Sequence, residues 1–115
     1  MRSAWVGGVT LALAASTALA APKGIQFWNL TANTITNFQL SPAGKNAWGK
    51  NQCLNDSDKS VDHDERLKIT DVTSGVFDAK FSDNKGRVCT VMNIAIKANS
   101  VFSIEEKELK DCQTK

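Results

Sequence analysis

The sequence predicts an all-β fold: a small antiparallel β-sandwich or a partly open barrel of about six to seven strands. Two observations carry this. The stretch Val76–Ile96 reads as two long alternating strands joined by a tight turn. Around it lie short alternating segments, separated by Gly, Asn and Asp turns at near-regular spacing.

In the central hairpin, Val76, Asp78 and Lys80 fall on one face and Phe77, Ala79 and Phe81 on the other. Asp83-Asn84-Lys85-Gly86 supplies the turn, with Gly placed for a type I turn and bulge. The return strand sets Val88, Thr90, Met92, Ile94 and Ile96 on one face, and Cys89, Val91, Asn93 and Ala95 on the other. A helix would scatter such a set around its circumference. A lone hairpin is marginal in water, so further strands must cover Phe77 and Phe81.

Taken from the start, Met1–Ala20 reads as a secretory signal: Arg2, an apolar centre from Trp5 to Leu13, and the small-x-small site Ala18-Leu19-Ala20. Cleavage leaves a mature chain of roughly 95 residues from Ala21, one small domain. The apolar run is short for a membrane anchor, and no later stretch is apolar enough to span a bilayer. A periplasmic or secreted location follows.

Gly24–Leu30 is the first expected strand, with Ile25 and Phe27 on one face and Gln26 and Trp28 on the other. Thr31-Ala32-Asn33 turns the chain into a second strand, Thr34–Leu40, in which Thr36, Phe38 and Leu40 share a side. These two read as an antiparallel hairpin. Ser41–Gly49 is a loop rich in breakers that carries Trp48, expected to fold back over one end of the core. Asn51–Glu65 is polar and mostly irregular. Arg66–Thr70 is a short strand with Leu67 and Ile69 inward. Ser100–Glu105 is the last strand, with Phe102 and Ile104 inward, returning along the free edge of Arg87–Ile96. Glu106–Cys112 is a short helical turn or a ragged tail.

The order Phe27-x-Asn29-x-Thr31, then Ser41-Pro42-x-Gly44 with Trp48-Gly49, then Gly75-Val76-Phe77-Asp78 and Asp83-x-x-Gly86, resembles a set of small exported bacterial β-sandwich proteins of unknown function. Their pattern is an F-x-N-x-T opening, an S-P-x-G…W-G loop, and a Y/F-D-x-[KR] strand before a D-x-x-G turn. Val101-Phe102-Ser103-Ile104 is similar to their closing strand. The resemblance spans nearly the whole mature chain and rests on the order and spacing of the motifs. It implies a small secreted or periplasmic β-sandwich and no established activity. Such proteins often pair cysteines on their central strands. Those places here are Gly75 and Ile96 or their neighbours, so no disulfide pattern carries over.

Composition excludes some functions. Fourteen Lys and Arg against twelve Asp and Glu leave the charge close to balance, with no basic tract to attract nucleic acid. Three cysteines in an oxidising compartment imply one disulfide and one thiol left over. Cys53–Cys112 is the favoured pair and Cys89–Cys112 the alternative. None has C-x-x-C spacing, and a Cys/His zinc site would need most of these residues and the single His to converge.

Two stretches are candidates for chemistry. In Asn55–Glu65 the carboxylates of Asp56, Asp58, Asp62 and Asp64 offer oxygen ligands for calcium. An EF-hand reading from Asp56 fails, because Val61 stands at the glycine position and Leu67 at the final glutamate. The plainer reading is a solvated loop, with Asp62 or Asp64 pairing with Arg66 or Lys68. The second candidate is a groove for a small ligand or peptide at the Ser41–Gly49 loop, walled by Trp28 and Trp48; core packing is the plainer account of both. His63 lacks a nucleophile motif beside it and reads as a surface residue. The reading that results is a non-enzymatic binding or envelope-interaction module with a protein or small-ligand partner. A calcium-binding module is the alternative, and a small hydrolase or redox protein the remotest.

Overall fold

The structure, a computed structural model, describes residues 23–114. The expected signal at 1–20 lies outside them. Seven strands form two sheets: β1 (Ile25–Leu30), β2 (Ile35–Pro42), β3 (Arg66–Ile69), β4 (Gly75–Asp83), β5 (Arg87–Ile96), β6 (Val101–Glu105) and β7 (Cys112–Thr114). One sheet has the order β3-β1-β6, the other β2-β4-β5-β7. They pack face to face as an open sandwich, not a closed barrel. All pairings are antiparallel except β1 with β6.

The aromatic residues explain the layering. Phe27 of β1 and Phe38 of β2 are fully buried, with stacked rings 4.2 Å apart. Phe102 lies 5.4 Å from Phe27, and Phe81 lies 6.0 Å from Phe38. Phe27 and Phe102 belong to one sheet, Phe38 and Phe81 to the other. Each strand turns its apolar side toward the opposite sheet, as a sandwich core requires.

That packing overturns the expected β1–β2 hairpin. The chain crosses between sheets at Thr31–Thr34, and β1 pairs with β3 and β6 instead. Phe27 and Phe38 meet across the core, which side-by-side pairing would forbid. The last long strand is also displaced from its expected place. β6 lies beside β1, and the short β7 takes the edge of β5.

Two strands depart from strict alternation. Between Phe77↔Ile94 and Ala79↔Val91, β5 carries one extra residue opposite Asp78. Cys89 and Val91 therefore point inward before this bulge, and Ile94 and Ile96 after it, while Met92 is exposed. In β2 a similar shift between Ile35 and Asn37 puts Ile35, not Thr36, inward with Phe38 and Leu40.

The disulfide joins Cys89 and Cys112, which face each other in the β5–β7 ladder with Cα atoms 4.0 Å apart. The favoured pair Cys53–Cys112 is thus corrected to its alternative. Cys53 sits in a 3-10 turn, Gln52–Asn55, beside β2, while Cys112 lies in β7 at the far edge of the same sheet. Cys53 is fully buried and its thiol donates to the Ile35 carbonyl at 3.6 Å.

Candidate functional site

The strand directions give the sandwich two chemically different ends. One gathers the β1–β2 and β4–β5 turns, residues 61–65 and the start of the 106–111 segment. The other gathers the start of β1, the end of β2, the β3–β4 loop and the β5–β6 turn.

At the first end the polar side chains satisfy one another. Buried Asn29 donates through Nδ2 to the carbonyls of Asn33 and Val61, while its Oδ1 accepts from Thr31 N and Thr31 Oγ1. This is what the F-x-N-x-T opening does: it staples the crossover to the 61–65 segment. Buried Asp83 accepts from Lys85 N, Arg87 N, Arg87 Nε and Asn33 Nδ2. Burial is the largest single influence on the Asp83 carboxyl and works to raise its pKa. The hydrogen bonds from Asn33, Arg87 and Lys85 together outweigh it, so the group titrates at about 2. Arg87 also forms a forked pair with Glu106, at 2.8 and 3.2 Å, and Glu106 accepts from Ala32 N. The Arg87 bonds lower the Glu106 pKa, and the Glu106 bonds in turn raise that of Arg87. The ring nitrogen Nδ1 of exposed His63 lies 2.7 Å from the Thr31 carbonyl.

The acidic loop joins this end, and its carboxylates are spent one at a time. Asp56 accepts from Asp58 N, Asp62 from Thr34 Oγ1, Asp64 from Trp28 Nε1, and Glu65 from Asp62 N. Asp56, Asp58, Asp62 and Asp64 are not brought together. Among the described residues, no group of three or more His, Cys, Asp or Glu is arranged to hold a metal ion. The expected pairing of Asp62 or Asp64 with Arg66 or Lys68 gives way to a stack in which the Arg66 guanidinium lies 5.0 Å over the Trp28 ring, whose N–H is held by Asp64.

Trp28 and Trp48 do not share a groove. Trp28 faces outward from β1, whereas Trp48 lies against the outer face of the other sheet, 4.7 Å beneath Lys80 Nζ of β4. Both are half-buried, and neither plugs the end of the core.

The Ser41–Gly49 loop nonetheless borders a cleft at the second end. Its folding is dictated locally. Ser41 Oγ donates to the Pro42 carbonyl and accepts from Ala47 N, closing the loop. Gly44, at φ +75°, donates its N–H to Asp78 Oδ2. Gly49 N returns to the Leu40 carbonyl. The cleft so formed has a volume of about 420 Å³. Leu40, Pro42, Ala47, Val72 and Phe77 supply its apolar lining, with Phe77 paired to Pro42 in the β2–β4 ladder, and Lys50, Gln52, Asp71 and Thr73 supply its polar lining. Gln52 is already committed: its side chain donates to the Thr70 carbonyl and accepts from Thr70 N and Asn55 Nδ2. A second depression of about 320 Å³ adjoins it, and Val72 and Thr73 line both. The expected groove walls, Trp28 and Trp48, do not line this cleft; besides the loop, its lining comes from β2, β4 and the β3–β4 loop, which only the sheet order brings together.

No protein-family model, curated protein or solved structure matches this chain.

Proposed function

We propose that the protein is an exported, non-enzymatic binding module of the periplasm or extracellular space that holds a small, largely apolar ligand in the cleft beside Leu40, Val72 and Phe77. One observation carries this reading. The polar end of the sandwich uses its hydrogen-bonding groups internally, whereas the opposite end keeps a recess walled by aliphatic and aromatic side chains open to solvent. A concave apolar site with a few polar groups at its margin is the usual form of a small-ligand site. The depression beside β5 is a weaker candidate, because Lys107, Glu108, Lys110 and Asp111 make up much of its rim.

The Cys89–Cys112 disulfide supports an oxidising compartment. No helix among the described residues is long and apolar enough to cross a membrane. The resemblance to small exported bacterial β-sandwich proteins agrees with that location.

The test uses the uncharged dye Nile red as probe. Saturable binding by the wild-type protein, lost when Val72→Trp fills the cleft, supports the reading. Equal binding by the two proteins, or none by either, removes it. A hydrolytic turnover abolished by His63→Ala would overturn the non-enzymatic part.

A further inference from the structure

The charged groups at the cleft margin are unequal, and that inequality points to the kind of ligand. Lys50 Nζ is held by Asn55 Oδ1 at 3.1 Å, and its side chain is 43% exposed. Its carboxylate partner, Asp71 Oδ2, stands 3.5 Å away on a side chain 82% exposed. An ion pair with so hydrated a partner contributes little. The anchored cation is therefore the fixed feature of the site, and Asp71 is readily exchanged for another carboxylate.

Resting on the cleft reading above, we propose that the ligand is a small carboxylate amphiphile. Its carboxylate takes the place of Asp71 on Lys50, and its apolar chain runs along Leu40, Phe77 and Val72. The chemistry of the walls supports both halves. Lys50 and Asp71 are the charged residues lining the cleft, and Leu40, Phe77 and Val72 are among the apolar residues that line it with them. Val72 also lines the adjoining depression, which gives the distal part of a longer chain a place to lie. Asp71 holds a left-handed backbone, φ +61°, in the β3–β4 loop. Its side chain is largely exposed and meets Lys50 only at 3.5 Å, so the carboxylate can swing to solvent.

The experiment compares decanoate, decanol and decylamine by calorimetry at neutral pH, each below its aggregation concentration. Decanoate is expected to bind about tenfold tighter than decanol, the worth of one charge-assisted hydrogen bond. Lys50→Gln should remove that advantage while leaving decanol binding and the melting temperature unchanged. Asp71→Asn keeps a residue tolerant of the left-handed turn and removes the competing carboxylate, so it should strengthen decanoate binding without altering decanol. Equal affinities for decanoate and decanol overturn the head-group assignment while the cleft reading stands. Tighter binding of decylamine also overturns it, by assigning the site to Asp71. Binding of none of the three removes both proposals.

Discussion

Asn93 donates its N–H to Asp78 Oδ1 at 3.0 Å, and this bond holds the bulge at which β5 turns its inward face over. Asn93 itself is left-handed, φ +60°, a conformation Asn tolerates. The other oxygen of the same carboxylate accepts from Gly44 N, so one buried side chain fixes both the bulge and the loop bordering the cleft. Asp78→Ala leaves two backbone donors unmatched. It should cost about 3 kcal/mol in urea unfolding and loosen the Ser41–Gly49 loop in amide exchange. Asp78→Asn, which retains one acceptor oxygen, should lose less. Equal stability of all three proteins would refute this role.

Asp83 sets an acid limit. Its folded carboxyl titrates at about 2, below the ordinary 3.8, so as pH falls the unfolded chain takes up the proton first. The stabilisation is complete above about pH 5 and is lost toward pH 2, amounting to about 2 kcal/mol. Asp83→Asn should lower stability at pH 7 and flatten its slope between those limits. An unchanged slope would show that Asp83 does not govern it. Glu106, lowered by Arg87, acts in the same direction.

The Cys89–Cys112 bridge closes a loop with sequence separation 23. In the chain-entropy treatment this is worth about 3 kcal/mol. Cys112→Ser should shift the urea midpoint accordingly and release the amide protection of β7, leaving β1–β4 protected. Retained protection of β7 would show that its hydrogen bonds suffice.

Cys53 should resist alkylation in the folded protein. Burial, and secondarily the charge of Asp56, push its thiol up to about 12, so almost no thiolate is present at pH 8. Iodoacetamide should label one thiol per chain in urea and none in native buffer. Rapid native labelling would place Cys53 at the surface.

Millimolar calcium should leave the melting temperature where EDTA leaves it, because Asp56, Asp62 and Asp64 accept hydrogen bonds from separate donors and the loop carboxylates do not converge on a common point. A rise of several degrees, abolished by Asp58→Asn with Asp62→Asn, would show that the loop rearranges to bind the ion.

The strands were legible because local side-chain alternation is a local property. Ile25 and Phe27, Leu67 and Ile69, and Phe102 and Ile104 all face inward as their spacing requires. The Asp83–Gly86 turn was legible too, with Gly86 at φ +84° and Asp83 capping Lys85 and Arg87. Strand partners were not. Adjacency in the chain favoured a β1–β2 hairpin, whereas the outcome depended on Phe27 meeting Phe38 across the core. The inversion at Asn93 was hidden because Val88, Met92 and Ile96 keep the apolar pattern running straight through it. The disulfide turned on β7, whose three exposed residues carry no apolar signal. The cleft was half visible: its loop is marked by Pro42, Gly44 and Gly49, but Val72 and Phe77 reach it only through the sheet order.

The parallel pairing of β1 with β6 also bears on how the chain reaches this state. Gln26 lies beside Val101 and Leu30 beside Glu105, so the first described strand is left with one edge bare until nearly the whole domain is present. Closing so distant a contact must precede its reward, which slows folding relative to a chain of local hairpins. A chain synthesised from its N-terminus therefore cannot complete the β3-β1-β6 sheet early. Until the sixth strand arrives, that edge of β1 has no strand beside it, and the smaller layer of the sandwich is incomplete.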